Sequence, residues 1–344
     1  MDRFFAERIV KWFRENGRIL PWREGKDPYR IWISEIMLQQ TRIEAVVPYY
    51  HRFMERLPTL SHLANCPDDE LMKLWEGLGY YSRARNLKKA ALDVVKRFGG
   101  TMPRKAEELR SLAGIGDYTA GAISSIAFGE PSPAVDGNVL RVVSRFLGSY
   151  EDISKQKTKK TVTSLLEEIY PTDGTAGILT EGIMELGERV CIPNGAPLCE
   201  VCPIREKCVA YKENLTSLLP VKEGKKERKI VKMTVFLLSH QGKYALRRRP
   251  EEGLLAGLWE FYHVDGKKSK TEAEKSLLTL GFSPKAISSC GSAKHIFSHV
   301  EWHMTGFFVE TENENGADVW KSAEEILASV PLPTAFRHFK NKLK

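Results

Sequence analysis

The chain has 344 residues, 42% of them apolar and 28% charged, with a formal net charge of +8. That length suits two domains with separate cores better than one, and the composition is that of an ordinary globular protein. No run of roughly eighteen apolar residues exists to span a bilayer, the N-terminal MDRFFAERIVKWFRENGR is too charged for a secretory signal, and the basic balance is compatible with a polyanionic partner.

Residues 1 to 215 read as helical. Apolar residues recur at three- and four-residue steps in AERIVKWF, LMKLWEGL, NLKKAALDVVKRF and VTSLLEEIY. Leu20-Pro21-Trp22, Gly99-Gly100, Met102-Pro103, Pro131 to Pro133 and Tyr170-Pro171 punctuate the segments. Glu35 lies in a helical run with Ile31 one turn before it, Leu38 three residues after it, and Ile36 and Met37 adjacent. A carboxyl held among such side chains has its charged form disfavoured. On pattern alone the plainer reading is a glutamate on the polar face of a helix.

Residues 107–128 read EELRSLAGIGDYTAGAISSIAF. A short helix runs to Leu112, Gly114-Ile115-Gly116 makes a tight turn, and a second helix starts near Tyr118. Glycines let backbone approach a ligand closely, and the N–H groups opening the second helix can take a phosphate oxygen. The small residues Thr119, Ala120, Gly121 and Ala122 allow close packing. This is a helix–hairpin–helix pattern for binding DNA backbone without reading sequence. Asp136 follows in PSPAVDGNVLR, at a helix start, where it could serve simply as an N-cap.

Four of the six cysteines have the spacing Cys191-x7-Cys199-x2-Cys202-x5-Cys208. Clustered thiols without secretory context favour metal ligation over disulfides. Tetrahedral zinc and a [4Fe–4S] cluster are the two candidates. A single close pair and so compact a set favour the cluster, and Arg189, Arg205 and Lys207 around it suit a loop facing a phosphate backbone.

The charged stretch PVKEGKKERKIVK breaks the helical pattern, and residues 216–231 read as an interdomain linker. Beyond it KIVKMTVFLLSH and KYALRRR read as strands about a Gln241-Gly242 turn. Thr271 and Glu274 suggest a capping box for TEAEKSLLTL, closed by Gly281. HIFSHVEWHMTGFFVE returns to strand character, so residues 232–344 form an α+β domain. His295, His299 and His303 recur every four residues and would share a face of one strand. No carboxylate or cysteine completes a metal set at sensible spacing, so phosphate contacts or packing explain them better.

The hairpin, Val135-Asp136-Gly137-Asn138-Val139 and the cysteine loop together resemble the endonuclease III superfamily of DNA glycosylases over residues 1 to about 212. Leu20-Pro21-Trp22-Arg23, with Trp32-Ile33-Ser34-Glu35-Ile36-Met37-Leu38-Gln39-Gln40-Thr41, is similar to the signature of its MutY branch. Tyr118 stands where strand-nicking members carry lysine, so no Schiff-base nucleophile is found there. The first cysteine gap is one residue longer than is usual in the family, in a Pro- and Gly-rich loop able to absorb it.

The resemblance implies an all-α helix–hairpin–helix glycosylase domain with an iron–sulfur loop, followed by a Nudix-like domain. The enzyme would be a monofunctional adenine glycosylase, acting as a monomer on duplex DNA with 8-oxoguanine:adenine mispairs, cytoplasmic and beside the nucleoid of a bacterium. Glu35 would be the proton donor. Asp136 would stabilise the sugar cation or a covalent sugar intermediate, with Tyr118 and Asn138 as its hydrogen-bonding partners. Arg23 and Glu181 would line the adenine pocket, Gln40 and Tyr80 would intercalate, and Gly114 and Gly116 would approach phosphate. The four cysteines would hold a [4Fe–4S] cluster. Gly253-Leu254-Leu255-Ala256-Gly257-Leu258-Trp259-Glu260-Phe261 resembles the Nudix-like half of MutY proteins, with Phe297, Ser298 and His299 reading the lesion. Leu278 and Thr279 stand where a working Nudix helix needs glutamates, so no pyrophosphatase activity is expected. Two rival readings are an endonuclease III-like lyase acting on oxidised pyrimidines and a non-enzymatic DNA-binding module. Tyr118 argues against the first and the two carboxylates against the second.

Overall fold

The computed structural model describes residues 1–224, 227–314 and 316–343. Its helices are α1 (Arg3–Asn16), α2 (Pro28–Leu38), α3 (Ile43–Arg56), α4 (Leu60–Asn65), α5 (Asp68–Leu74), α6 (Ser82–Phe98), α7 (Ala106–Arg110), α8 (Asp117–Phe128), α9 (Gly137–Leu147), α10 (Gln156–Glu167), α11 (Ala176–Arg189) and α12 (Val209–Lys212), then α13 (Lys270–Thr279), α14 (Ala323–Ser329) and α15 (Arg337–Lys340) among strands. The chain divides into two compact units, residues 1–65 with 85–224, and residues 66–84 with 225–344.

In the first unit α1, α9, α10 and α11 share a core of Phe5, Ile9, Val139, Val143, Phe146, Val162, Leu166, Leu179, Ile183 and Leu186. Gly182 lets α1 come close, because a Cβ there would stand 2.7 Å from Ile9 Cγ2. Helix α2 starts at Pro28 behind the Asp27 cap, whose carboxylate accepts from Tyr29 N. Every residue from Ile31 to Met37 is buried. Such a helix has no solvent face, so a carboxylate on it cannot escape to water.

The second unit is built on a sheet of β1 (Lys229–His240), β2 (Lys243–Arg248), β3 (Trp259–Glu260), β4 (Tyr262–Asp265), β5 (Pro284–Ile296), β6 (Val300–Thr311) and β7 (Val319–Ser322). Its order is β3-β2-β1-β6-β5, with β4 also on β1 and β7 also on β2. Strand β1 runs parallel to β6 and antiparallel to β2 and β4. Met233, Val235 and Leu237 enter one core while Phe236 and Leu238 enter the other. The two-residue period with both faces covered explains the unbroken apolar run.

The box capping α13 is Ser269 with Glu272, not Thr271 with Glu274. The boundary between the two units falls inside the stretch 216–231, whose two flanks are structured. Leu219 is buried with its carbonyl accepting from Arg145 Nε at 2.8 Å, Val221 O accepts from Ile153 N, and β1 already pairs with β6 at Lys229. Charge composition conceals such backbone pairing. His295, His299 and His303 do not share one strand. His295 pairs with Trp302 across β5 and β6, His303 pairs with Lys294, and His299 lies in the turn between.

Residues 66–84, read from sequence as part of the helical domain, cluster with the C-terminal unit. Asp69 accepts from Arg248 Nη2 at 2.8 Å, Glu76 from Lys340 Nζ at 2.5 Å, and Lys73 Nζ donates to Leu327 O at 2.8 Å. No helix among the described residues is long and apolar enough to cross a membrane.

Candidate active site

A cavity of about 490 Å³ in the first unit is lined by residues 20–23, the end of α2 with residues 39–41, the openings of α8 and α9, and the middle of α11. It gathers Glu35, Tyr118, Asp136, Asn138, Arg23, Gln40 and Glu181 from distant parts of the sequence. Glu35 is 6% exposed. Burial lifts its carboxyl to about 7, opposed by a hydrogen bond from the Tyr118 hydroxyl and reinforced by the charges of Glu181 and Asp136. The Tyr118 hydroxyl donates to Glu35 Oε2 at 2.5 Å and lies 3.7 Å from Met184 Sδ. It was expected to serve Asp136. In the first turn of α8, it meets the buried helix α2 instead.

Asp136 caps α9, accepting from Val139 N at 2.8 Å, and from Asn138 Nδ2 at 2.9 Å. Capping and a place in the cavity coexist in one carboxylate. Burial pushes its pKa up, while these N–H donors and Arg141 pull it back. Arg141 fixes the Asn138 amide by donating from Nη2 to its Oδ1 at 2.8 Å, which turns Nδ2 toward Asp136. The same guanidinium donates to Gly187 O and, through Nε, to Cys191 O, both at 2.8 Å.

Arg23 Nε donates to Glu181 Oε1 at 2.7 Å and its Nη2 to Glu185 Oε2 at 3.1 Å. Arg18 adds bonds to Glu185 at 2.6 Å and Glu188 at 2.5 Å. Burial raises Glu181. Burial also opposes ionisation of Glu185, but its pairs with Arg18 and Arg23 prevail and lower it. The wall therefore offers, at Glu35, a carboxyl that keeps its proton to higher pH than usual, beside a carboxylate array fixed by two arginines. Sequence reasoning missed Arg18, Glu185, Glu188 and Arg141. The four-residue step from Glu181 to Glu185 on one helix was an available signal.

Gln40, exposed at the cavity edge, has φ 58°. Tyr80, in the second unit, has φ 47° and is 46% exposed. A side chain in this left-handed region costs roughly 1–2 kcal/mol, so the two residues are held there by their surroundings. Gly114 has φ 75°, and Gly116 caps α8 from extended backbone with no side chain covering the first N–H groups. A Cβ on Gly114 would stand 2.7 Å from Asn86 Cβ. Phe297 packs its ring on Trp302 at 4.9 Å in the β5–β6 turn, leaving Ser298 and His299 exposed. These three belong to the second unit.

Cys191, Cys199, Cys202 and Cys208 line one small cavity after α11 with Arg145, Val190 and Ile204. Arg145 Nη1 donates to Cys191 Sγ at 3.4 Å. Burial pushes the Cys202 thiol up to about 12, and the neighbouring thiols add to the rise. Among the described residues no three His, Cys, Asp or Glu side chains close to the spacing of one metal ion. Four thiols around one shared cavity are a donor set of the kind that holds a [4Fe–4S] cluster.

Residues 33–168 match the HhH-GPD superfamily of base excision DNA repair proteins, and residues 234–342 match the NUDIX domain family. The adenine DNA glycosylase of Buchnera aphidicola from Schizaphis graminum is 32% identical, over 98% of this chain and 99% of its own. That of Mus musculus is 33% identical, over 86% of this chain and 68% of its own. A non-covalent endonuclease III–DNA complex is similar with a TM-score of 0.52 and 25% identity, covering 62% of this chain and 96% of that one. The chain belongs to the adenine DNA glycosylase family, helix–hairpin–helix enzymes of base excision repair.

Proposed function

We propose that this chain removes adenine mispaired with 8-oxoguanine from duplex DNA and leaves an abasic site. The observation that carries the reading is the convergence of Glu35 and Asp136 on one cavity, in environments that set them different tasks. Glu35, neutral below about pH 7, gives its proton to adenine N7. The C1′–N9 bond breaks with its electrons leaving on the base. The Asp136 carboxylate, oriented by Val139 N and Asn138, faces the cationic sugar. Water adds at C1′ and returns a proton to Glu35, which balances the reaction. Arg23 and Glu181 shape the adenine pocket.

The base must first leave the stack. Gln40 and Tyr80 fill the gap, and Gly114 and Gly116 bring backbone N–H groups to a phosphate. Ser298, exposed on the β5–β6 turn with Phe297 anchored beneath and His299 beside it, reads the lesion edge. The protein works as a monomer, beside the nucleoid of the cytoplasm. Cys191, Cys199, Cys202 and Cys208 would hold a [4Fe–4S] cluster, which fixes a basic loop and takes no part in the chemistry.

The deciding assay offers one duplex with 8-oxoguanine opposite adenine and another with an oxidised pyrimidine. Free adenine without strand cleavage from the first is the expected result. Cleavage of the second would assign the chain to lyase chemistry, and binding without any base release would leave only a DNA-binding module.

A further inference from the structure

The turn that carries Tyr80 is built around one buried cation. Trp75 is fully buried, Leu78 is nearly so, and Arg83 is 9% exposed. Gly79 and Tyr80 are consecutive left-handed residues at φ 72° and 47°. Glycine takes that conformation freely, whereas tyrosine does so only under constraint. Arg83 Nη2 donates to Leu78 O at 3.1 Å and to Gly79 O at 3.2 Å. Trp75 Nε1 donates to Gly79 O at 3.1 Å, and Arg83 N to Tyr80 O at 2.9 Å. The guanidinium carbon lies 5.4 Å from the Trp75 ring centre and 5.6 Å from that of Tyr80. Burial lowers its pKa only to about 10, so it stays cationic at neutral pH.

We propose that Arg83 is the positioning residue for Tyr80, pinning the left-handed turn by its carbonyls and backing the phenol ring with its own flat face. A planar fork can bond two carbonyls while stacking on two rings. A lysine has no such plane. The inference rests on reading Tyr80 as the residue that fills the vacated stack. Arg83 acts here through the turn that carries Tyr80.

The test uses the full chain and a mispair duplex with 2-aminopurine beside the target adenine, whose fluorescence rises on unstacking. Arg83→Ala, Arg83→Lys, Tyr80→Ala and the Arg83→Ala/Tyr80→Ala double variant are compared for that signal and for single-turnover base release at saturating protein. Each single variant should lower both by roughly tenfold, the scale of one lost stacking contact. The double variant should be no worse than Tyr80→Ala. Losses that multiply in the double variant, or an Arg83→Lys protein that flips the base as the parent does, would overturn the assignment. Arg83→Lys keeps the charge and decides the matter if Arg83→Ala does not fold. Normal unstacking by Tyr80→Ala would instead remove the wedge reading of Tyr80, and this inference with it.

Discussion

The Tyr118 hydroxyl donates to Glu35 across 2.5 Å, tying the first residue turn of α8 to the middle of α2. The bond favours the ionised glutamate and partly offsets the rise caused by burial. Tyr118→Phe deletes that donor, so Glu35 should hold its proton to higher pH. The falling limb of single-turnover base release against pH should move upward. A limb that stays in place would show that this hydroxyl does not tune the acid.

Glu35→Gln should keep mispair binding within a few-fold while base release falls by about 10²–10⁴, the range for a lost general acid. In the parent the rate should decline as pH rises through about 7. The same residue has a stability signature. Its carboxyl titrates near 7 in the fold against an ordinary 4.5, so between those values the folded chain keeps a proton that the unfolded chain has lost. Stability from this group is therefore lost as pH rises from 4.5 to 7, by ~3 kcal/mol in full. Glu35→Gln should be more stable than the parent at pH 8 by up to that amount and gain little at pH 4, measured by urea unfolding.

Arg141→Met strips donors from Cys191 O, Gly187 O and Asn138 Oδ1 together. One buried and one partly buried carbonyl left unpaired should cost about 2–3 kcal/mol of stability. The Asn138 amide would also lose the bond that orients it toward Asp136. Base release should drop by about 10–100-fold, as expected for a displaced carboxylate, with mispair binding retained. Full activity in a destabilised protein would confine Arg141 to a packing role.

Gly121→Ala probes how α8 and the Asp136 loop meet. A Cβ there would stand 2.1 Å from Pro133 O and 2.8 Å from Pro133 C. Backbone cannot rotate away as a flexible side chain can. The variant should lose about 1–3 kcal/mol, typical of overpacking, with base release falling in parallel because residues 133–136 are displaced. An unchanged melting temperature would contradict the packing described.

Cys202→Ser should reduce iron and acid-labile sulfide in the purified protein and lower its resistance to protease around residues 191–208. The thiol is partly buried and lines the cavity shared with Cys191, Cys199 and Cys208. Full iron content in that variant would remove Cys202 from the ligand set.

Much of the site was legible because local patterns carry it. The glycine turn, the Asp136 cap and the cysteine spacing are local backbone or ligand arrangements of nearby residues. Element types followed the hydrophobic period, including the switch to strands near Lys229. The errors have local causes too. Ser269 and Thr271 both precede acceptable glutamates three residues on, and only backbone geometry chooses between them. The histidine repeat looked continuous because a tight turn at residues 297–299 leaves little trace in the hydrophobic pattern.

The sequence by itself determined the helical character of the first part of the chain, the α+β character of the second, and the family. Those properties follow from residue type, period and short spacing. The tertiary structure alone decided that Glu35 is buried, that Tyr118 serves Glu35 rather than Asp136, that Arg141 joins Asn138 to the cysteine loop, and that residues 66–84 pack with the C-terminal unit. Each depends on which surfaces meet between segments far apart in the chain. Desolvation and hydrogen bonding are set by those neighbours, and a one-dimensional pattern does not encode them.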